Sequence, residues 1–171
     1  NNHYNFEANS TLFENTVVRL PQATSLSIKN SLFIATKEKV DAVLELMNLP
    51  KAASGNDSEQ ALLTLSNPVL SGNSIEADGI PIGLRITPYQ TNSSTNIRGN
   101  LFKGFSTAIE VAVPGVISRN SFLQIEDYAI KSTDSKDING AKNYYGTEDP
   151  TEVQNLLYDY SDDLNVGSIL N

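Results

Sequence analysis

The residue types that could hold an anion or move a proton fall in two sets. Lys29, Arg119 and Lys142 each stand directly before an Asn, and Arg98 stands one place further from Asn100. If the chain repeats, adjacent units would bring Arg98 and Arg119 together near Tyr128. The second set is Arg19, Thr64, Arg85, Glu110 and Lys131, each the polar member of an apolar–polar–apolar triplet or its near copy. On neighbouring strands these would form one outward column, and the alternating signs of Arg85, Glu110 and Lys131 suit lateral pairing. A glycosidic carboxylate pair, Glu110 with Glu126 or Asp127, would need the two groups roughly 5–9.5 Å apart in one groove. Asp159, Asp162 and Asp163 offer oxygen ligands that would suit calcium, but without the spacing of an EF-hand loop. Capping or solvation is the simpler role, so no cofactor and no metal site is expected, calcium being the one ion left open.

Much other chemistry is excluded. The chain of 171 residues has no Cys and one His, His3. Thiolate sites, disulfides, His-based triads and multi-histidine zinc sites are absent as options. No GxGxxG, Walker or zinc-ligand spacing occurs. With 12 basic and 20 acidic residues the formal charge is −8, which opposes nucleic acid binding. No apolar run is long enough to span a membrane as a helix. Neither a nucleic acid partner nor membrane insertion is therefore expected.

Positioning these residues falls to a repeat. An apolar residue, two small or charged residues, Asn, any residue and an apolar residue recur around Asn73, Asn100 and Asn120, with looser copies at Asn9, Asn30 and Asn143. The spacing is about one turn of a short solenoid, apart from one longer interval between Asn30 and Asn73. A second phrase follows at a nearly constant offset: Val17-Val18-Arg19-Leu20, Gly83-Leu84-Arg85-Ile86, Ala108-Ile109-Glu110-Val111 and Ala129-Ile130-Lys131-Ser132, with Leu63-Thr64-Leu65 in the long interval. Each unit thus carries at least two strands of period two and no helical crossover. Stacked in register, the units give parallel strands around an apolar interior. The equivalent amides of Asn30, Asn73, Asn100, Asn120 and Asn143 are expected to form a structural ladder, as in cross-β stacks, and to tolerate the corner's left-handed conformation.

Two helices are expected beside the strands. Val40, Val43, Leu44 and Met47 share a helical face over 37–49, between a capping Thr36 and Pro50, and with the polar loop to residue 60 this fills the long interval. Asp149, Pro150 and Glu152 read as N-cap, first position and capping-box partner of a helix running to about Tyr158. That helix would close the solenoid as part of a C-terminal cap over 146–171.

The Asn phrases at Asn73, Asn100 and Asn120, and the stretch 143–150 followed by Val153, Leu157, Asp159, Asp162 and Asp163, resemble the right-handed parallel β-helix of the pectate-lyase-like superfamily, with Tyr145 where that family usually has Trp. The resemblance implies an all-β solenoid of about six turns forming a single domain over residues 1–171. It also implies a secreted or surface-displayed protein. If the chain were a polysaccharide lyase, Arg98, Arg119, Tyr128 and Lys131 would supply the cation that neutralises a uronate and the base that removes its α-proton. A glycoside hydrolase acting on an acidic glycan is the related alternative. The leading expectation is a non-catalytic structural or carbohydrate-contacting module, with Arg85, Arg119, Lys131 and Tyr128 as the binding residues and a polysaccharide or surface glycan as partner. The first residues open in mid-pattern and Ile169-Leu170-Asn171 reads as a strand cut short, so the chain is expected to be a segment of a longer protein with further turns or a domain upstream.

Overall fold

The computed structural model describes residues 4–14, 18–21, 23–36, 42–47, 66–71, 74–87 and 94–171. Alternating apolar residues punctuated by Gly, Ser, Asn and Pro give short strands, laid down turn by turn. The first turn holds β1 (Tyr4–Asn9), β2 (Leu12–Glu14) and β3 (Val18–Pro21); the second holds β4 (Ala23–Lys29), β5 (Leu32–Thr36) and β6 (Ala42–Met47). Next come β7 (Ser66–Ser71) with the long β8 (Ser74–Thr87), then β9 (Ser94–Arg98) with the long β10 (Leu101–Val111). The last turns contain β11 (Gly115–Ser118), β12 (Ser121–Leu123), β13 (Tyr128–Ser132), β14 (Ile138–Asn139), the helix α1 (Pro150–Asn155), β15 (Leu157–Tyr158) and β16 (Ile169–Leu170).

Every strand pairing among the described residues is parallel. One sheet runs β1-β4-β7-β9-β11-β14-β16 in chain order, and this is a parallel β-solenoid. Seven strands stack in that sheet, so the turn count differs somewhat from the six expected. The second sheet has two lanes: β2, β5, the start of β8, the start of β10 and β12 form the first, and β3, β6, the rest of β8 and β10, β13 and β15 form the second.

The interior is built from columns. Phe13 stacks on Phe33 at 4.5 Å, Phe102 on Phe122 at 5.4 Å and Phe122 on Tyr145 at 5.4 Å, and Ile75 is registered between Phe33 and Phe102. In the second lane Leu44, Leu84, Ile109, Ile130 and Leu157 form a continuous buried row. Each such side chain removed from water contributes about 1.5–3 kcal/mol, which is what holds the turns in register.

Two expected helices are corrected. The segment 42–47 is the strand β6, paired with both β3 and β8, while the rest of the expected 37–49 helix lies outside the described residues. Val43 and Leu44 are both buried, as a strand between two parallel neighbours allows; a short apolar run cannot be assigned by helical spacing alone. The C-terminal helix is shorter than expected because Leu157 and Tyr158 leave it to pair with Ile130 and Lys131. Asp149 caps it by accepting from the Thr151 N–H at 2.8 Å and the Glu152 N–H at 3.2 Å. The Glu152 carboxylate does not reach back to the Asp149 N–H as a capping box would; it accepts from the Thr147 hydroxyl, whose oxygen accepts from the Asp149 N–H.

Candidate functional site

The corner between the first sheet and the first lane is where the Asn phrases fall. Asn100 donates from both its backbone N–H and its amide to Asn120 Oδ1, each at 3.0 Å. Asn120 repeats this toward Asn143 Oδ1 at 2.9 and 3.1 Å, and also donates to the Ile97 carbonyl at 3.0 Å. Asn143 ends the ladder on the Ile117 and Gly140 carbonyls and the Tyr145 phenol oxygen. Asn100 and Asn120 are 2% and 1% exposed, so each lost bond would strand a buried polar group.

One part of the expected ladder changes and another is not described. Asn73 lies outside the described residues. Asn30 is exposed and one position out of register; its amide donates to Asn9 Oδ1 at 3.2 Å, outside the ladder. The inward slot of that turn is Ser31, 2% exposed, which accepts from the Thr11 N–H at 3.3 Å and donates to the Lys29 carbonyl at 2.9 Å. Asn30 itself takes the left-handed conformation (φ 48°), as expected of a corner Asn, but Asn100, Asn120 and Asn143 do not. In the later turns it falls on the residue before the ladder Asn: Gly99 (φ 70°), Arg119 (φ 58°) and Lys142 (φ 66°). Gly takes this conformation without penalty, whereas a residue bearing a Cβ gives up about 1–2 kcal/mol there.

That geometry turns Arg119 and Lys142 outward, both exposed, on successive turns joined by an Arg119 N–H to Lys142 carbonyl bond of 3.1 Å. Arg98, also exposed, is registered with Ser118, immediately before Arg119. Tyr128 sits elsewhere, on β13 in the second lane. Its ring meets Tyr158 edge-on at 5.2 Å, and Lys131 Nζ lies 5.4 Å from the centre of the Tyr158 ring. Tyr128 and Lys131 therefore belong to one cluster, and no contact among the described residues joins it to Arg98 or Arg119.

The polar positions of the second lane line up across the described strands. Arg19, Glu45, Arg85, Glu110, Lys131 and Tyr158 occupy equivalent register positions on successive strands. Thr64, expected in this row, lies outside the described residues, and Glu45 holds the position next to Arg85. Arg85 Nε donates to Glu110 Oε1 at 2.8 Å, and Arg85 Nη1 lies 3.5 Å from Glu45 Oε1. Partial burial works to lower the Arg85 pKa, but the two carboxylates overcome it and hold the guanidinium above its ordinary value. Arg85 is consequently committed to the wall. Sequence reasoning missed Glu45 and Tyr158, although Leu44-Glu45-Leu46 and Leu157-Tyr158 carry the same strand phrase as their neighbours.

The carboxylate pairing needed for glycoside hydrolysis is not assembled by these turns. Thr107 is registered with Tyr128, so Asp127 lies level with Ser106, whose hydroxyl donates to it. Glu110 is level with Lys131, four positions further on, or about 13 Å along the strand direction.

The acidic C-terminal group serves the cap. Asp159 is buried at 5% exposure; Oδ1 accepts from the Ser161 N–H at 2.9 Å and Oδ2 from the Ile169 N–H at 3.0 Å. Asp162 accepts from the Asp159 N–H. Asp163 accepts from the backbone and amide of Asn165, which together lower its pKa. These bonds tie β16, the last strand of the first sheet, to the preceding loop. No three-residue group that could hold a metal occurs among the described residues.

The fold defines the class of protein, a parallel β-solenoid with amide and aromatic ladders. Compared with known protein families, curated proteins and solved structures, the chain matches none of them.

Proposed function

We propose that the chain is a non-catalytic β-helix module, secreted or displayed at a cell surface, that acts as a scaffold and contacts carbohydrate. The pectate-lyase-like superfamily is the placement its Asn and C-terminal phrases suggest. The observation that carries this reading is the division of the candidate groups. Arg85 is held between Glu45 and Glu110, while Arg119 stands exposed at the corner and Tyr128 and Lys131 lie half-buried in a separate aromatic cluster. A lyase needs its neutralising cation and its base converging on one sugar ring, and these groups are distributed over different faces. Repeating side chains at the rung spacing instead offer an extended polymer a succession of shallow contacts.

The test is incubation with alginate, pectate, chondroitin and neutral polysaccharides, with and without calcium, following binding and unsaturated product together. Binding without product is expected. Turnover that disappears in Arg119→Ala or Lys131→Ala would replace the scaffold by a lyase.

A further inference from the structure

The basic side chains of this acidic chain divide by location. Away from the corner, four of them are engaged: Arg85 with two carboxylates, Lys131 with the Tyr158 ring, and Lys103 and Lys136 with partners of their own. At the corner, Lys29, Arg98, Arg119 and Lys142 are all exposed, and none pairs with an acidic group among the described residues. The corner segments 9–11, 29–31, 98–100, 118–120 and 141–143 contain no Asp or Glu. Two of the four cations, Arg119 and Lys142, occupy left-handed positions that Gly99 fills without strain one turn earlier. Long charged side chains thus stand where glycine would suit the backbone better, and the ladder beneath, through Asn100, Asn120 and Asn143, fixes their spacing. Strain held by a rigid support is the pattern of a position retained for contact with something else.

We propose that this corner is a binding ridge for a linear polyanion, and that its occupant is an acidic glycan strand lying along the solenoid axis. The inference rests on the carbohydrate-contacting reading and names the face and the ligand class. Successive rungs lie about 4.8 Å apart, so the consecutive corners of Arg98, Arg119 and Lys142 span about 10 Å. Arg98, Arg119 and Lys142 supply cations on consecutive turns, and an extended polymer with an anionic group on successive sugars meets them in a row. The chain's net charge of −8 already includes the four corner cations, so the rest of the molecule is acidic and repels a polyanion from the other faces, which aligns the strand on this one. Uronate carboxylates and sulfate esters present the same chemistry to such a row; Arg can take either in a bidentate fork, while Lys acts as a point charge.

The experiment compares the full chain with the triple variant Arg98→Gln/Arg119→Gly/Lys142→Gly and with the control Lys136→Gln. Binding is measured by calorimetry against a uronate polymer, a sulfated glycan, a neutral glucan and duplex DNA at low and physiological salt. The two glycine replacements suit the corner backbone, and a thermal melt run alongside shows that the variant is folded. The expected result is salt-sensitive binding of an acidic glycan, reduced about tenfold or more in the triple variant and unchanged in the control. The tighter of the two acidic ligands identifies the source of the charge. Acidic-glycan binding that the triple variant keeps would overturn the ridge and leave the scaffold reading standing. Failure of every glycan to bind would overturn both. Duplex DNA bound more tightly than either acidic glycan, and lost in the triple variant, would overturn the choice of occupant.

Discussion

The wall of the second lane and the corner of the first treat charge in opposite ways. On the wall, Glu45, Arg85 and Glu110 neutralise one another across parallel strands, and Lys131 turns to an aromatic ring. At the corner, neutral amides satisfy each other inside while the cations outside go without acidic partners among the described residues. The difference teaches that a row of charged side chains on a solenoid is not by itself a binding surface. What distinguishes the corner is that its internal hydrogen bonding is already complete without the cations.

The largest effect expected from breaking this contrast lies inside the corner. Asn120→Ala leaves the Asn100 N–H and the Ile97 carbonyl without their partner in a buried site, and should lower unfolding free energy by about 3 kcal/mol in a denaturant titration. Asn30→Ala, which removes an exposed amide contact and puts Ala at a left-handed position (φ 48°) that Asn tolerates better, should cost about 1 kcal/mol. Asp159→Ala comes next, at about 2 kcal/mol, because it orphans the N–H groups of Ser161 and Ile169. Freeing the Ile169 N–H also opens the outer edge of the first sheet, so sedimentation of this variant should reveal concentration-dependent association.

A pH titration probes the same corner. Burial pushes the Tyr145 phenol above its ordinary pKa of 10.0, with the hydrogen bond from Asn143 opposing in part. The folded state therefore holds this proton more tightly than the unfolded chain. Stability should be intact below about pH 10 and decline as pH rises through the higher folded-state value, and Tyr145→Phe should lessen that decline. On the wall, Arg85→Gln should cost about 1 kcal/mol or less, since the group is partly exposed, and the difference should shrink in high salt. The smallest effect is a gain: Arg119→Gly should stabilise the fold by up to about 1 kcal/mol, seen as a higher melting temperature.

The amide ladder and the outward column were legible in sequence because each rests on a phrase with fixed offsets. Asn100, Asn120 and Asn143 are followed two positions later by Phe102, Phe122 and Tyr145, and that interval is the step from corner to core. Asn30 misled because one shifted residue turns an inward amide outward and gives the slot to Ser31. Residues 42–47 misled for a different reason. Val43, Leu44 and Met47 fit a helical face, and only the parallel neighbours β3 and β8, remote in sequence, decide for a strand. The left-handed positions of Arg119 and Lys142 carry no sequence signal of their own, since neither residue type favours that conformation.

Chemical-shift mapping tests the contrast between corner and wall most directly. A soluble acidic oligosaccharide, titrated into isotope-labelled protein, should shift the amide signals of Arg98, Gly99, Arg119 and Lys142 as one set. Those of Glu45, Arg85, Glu110 and Lys131 should stay in place. Shifts concentrated on the wall, with the corner unmoved, would contradict the account.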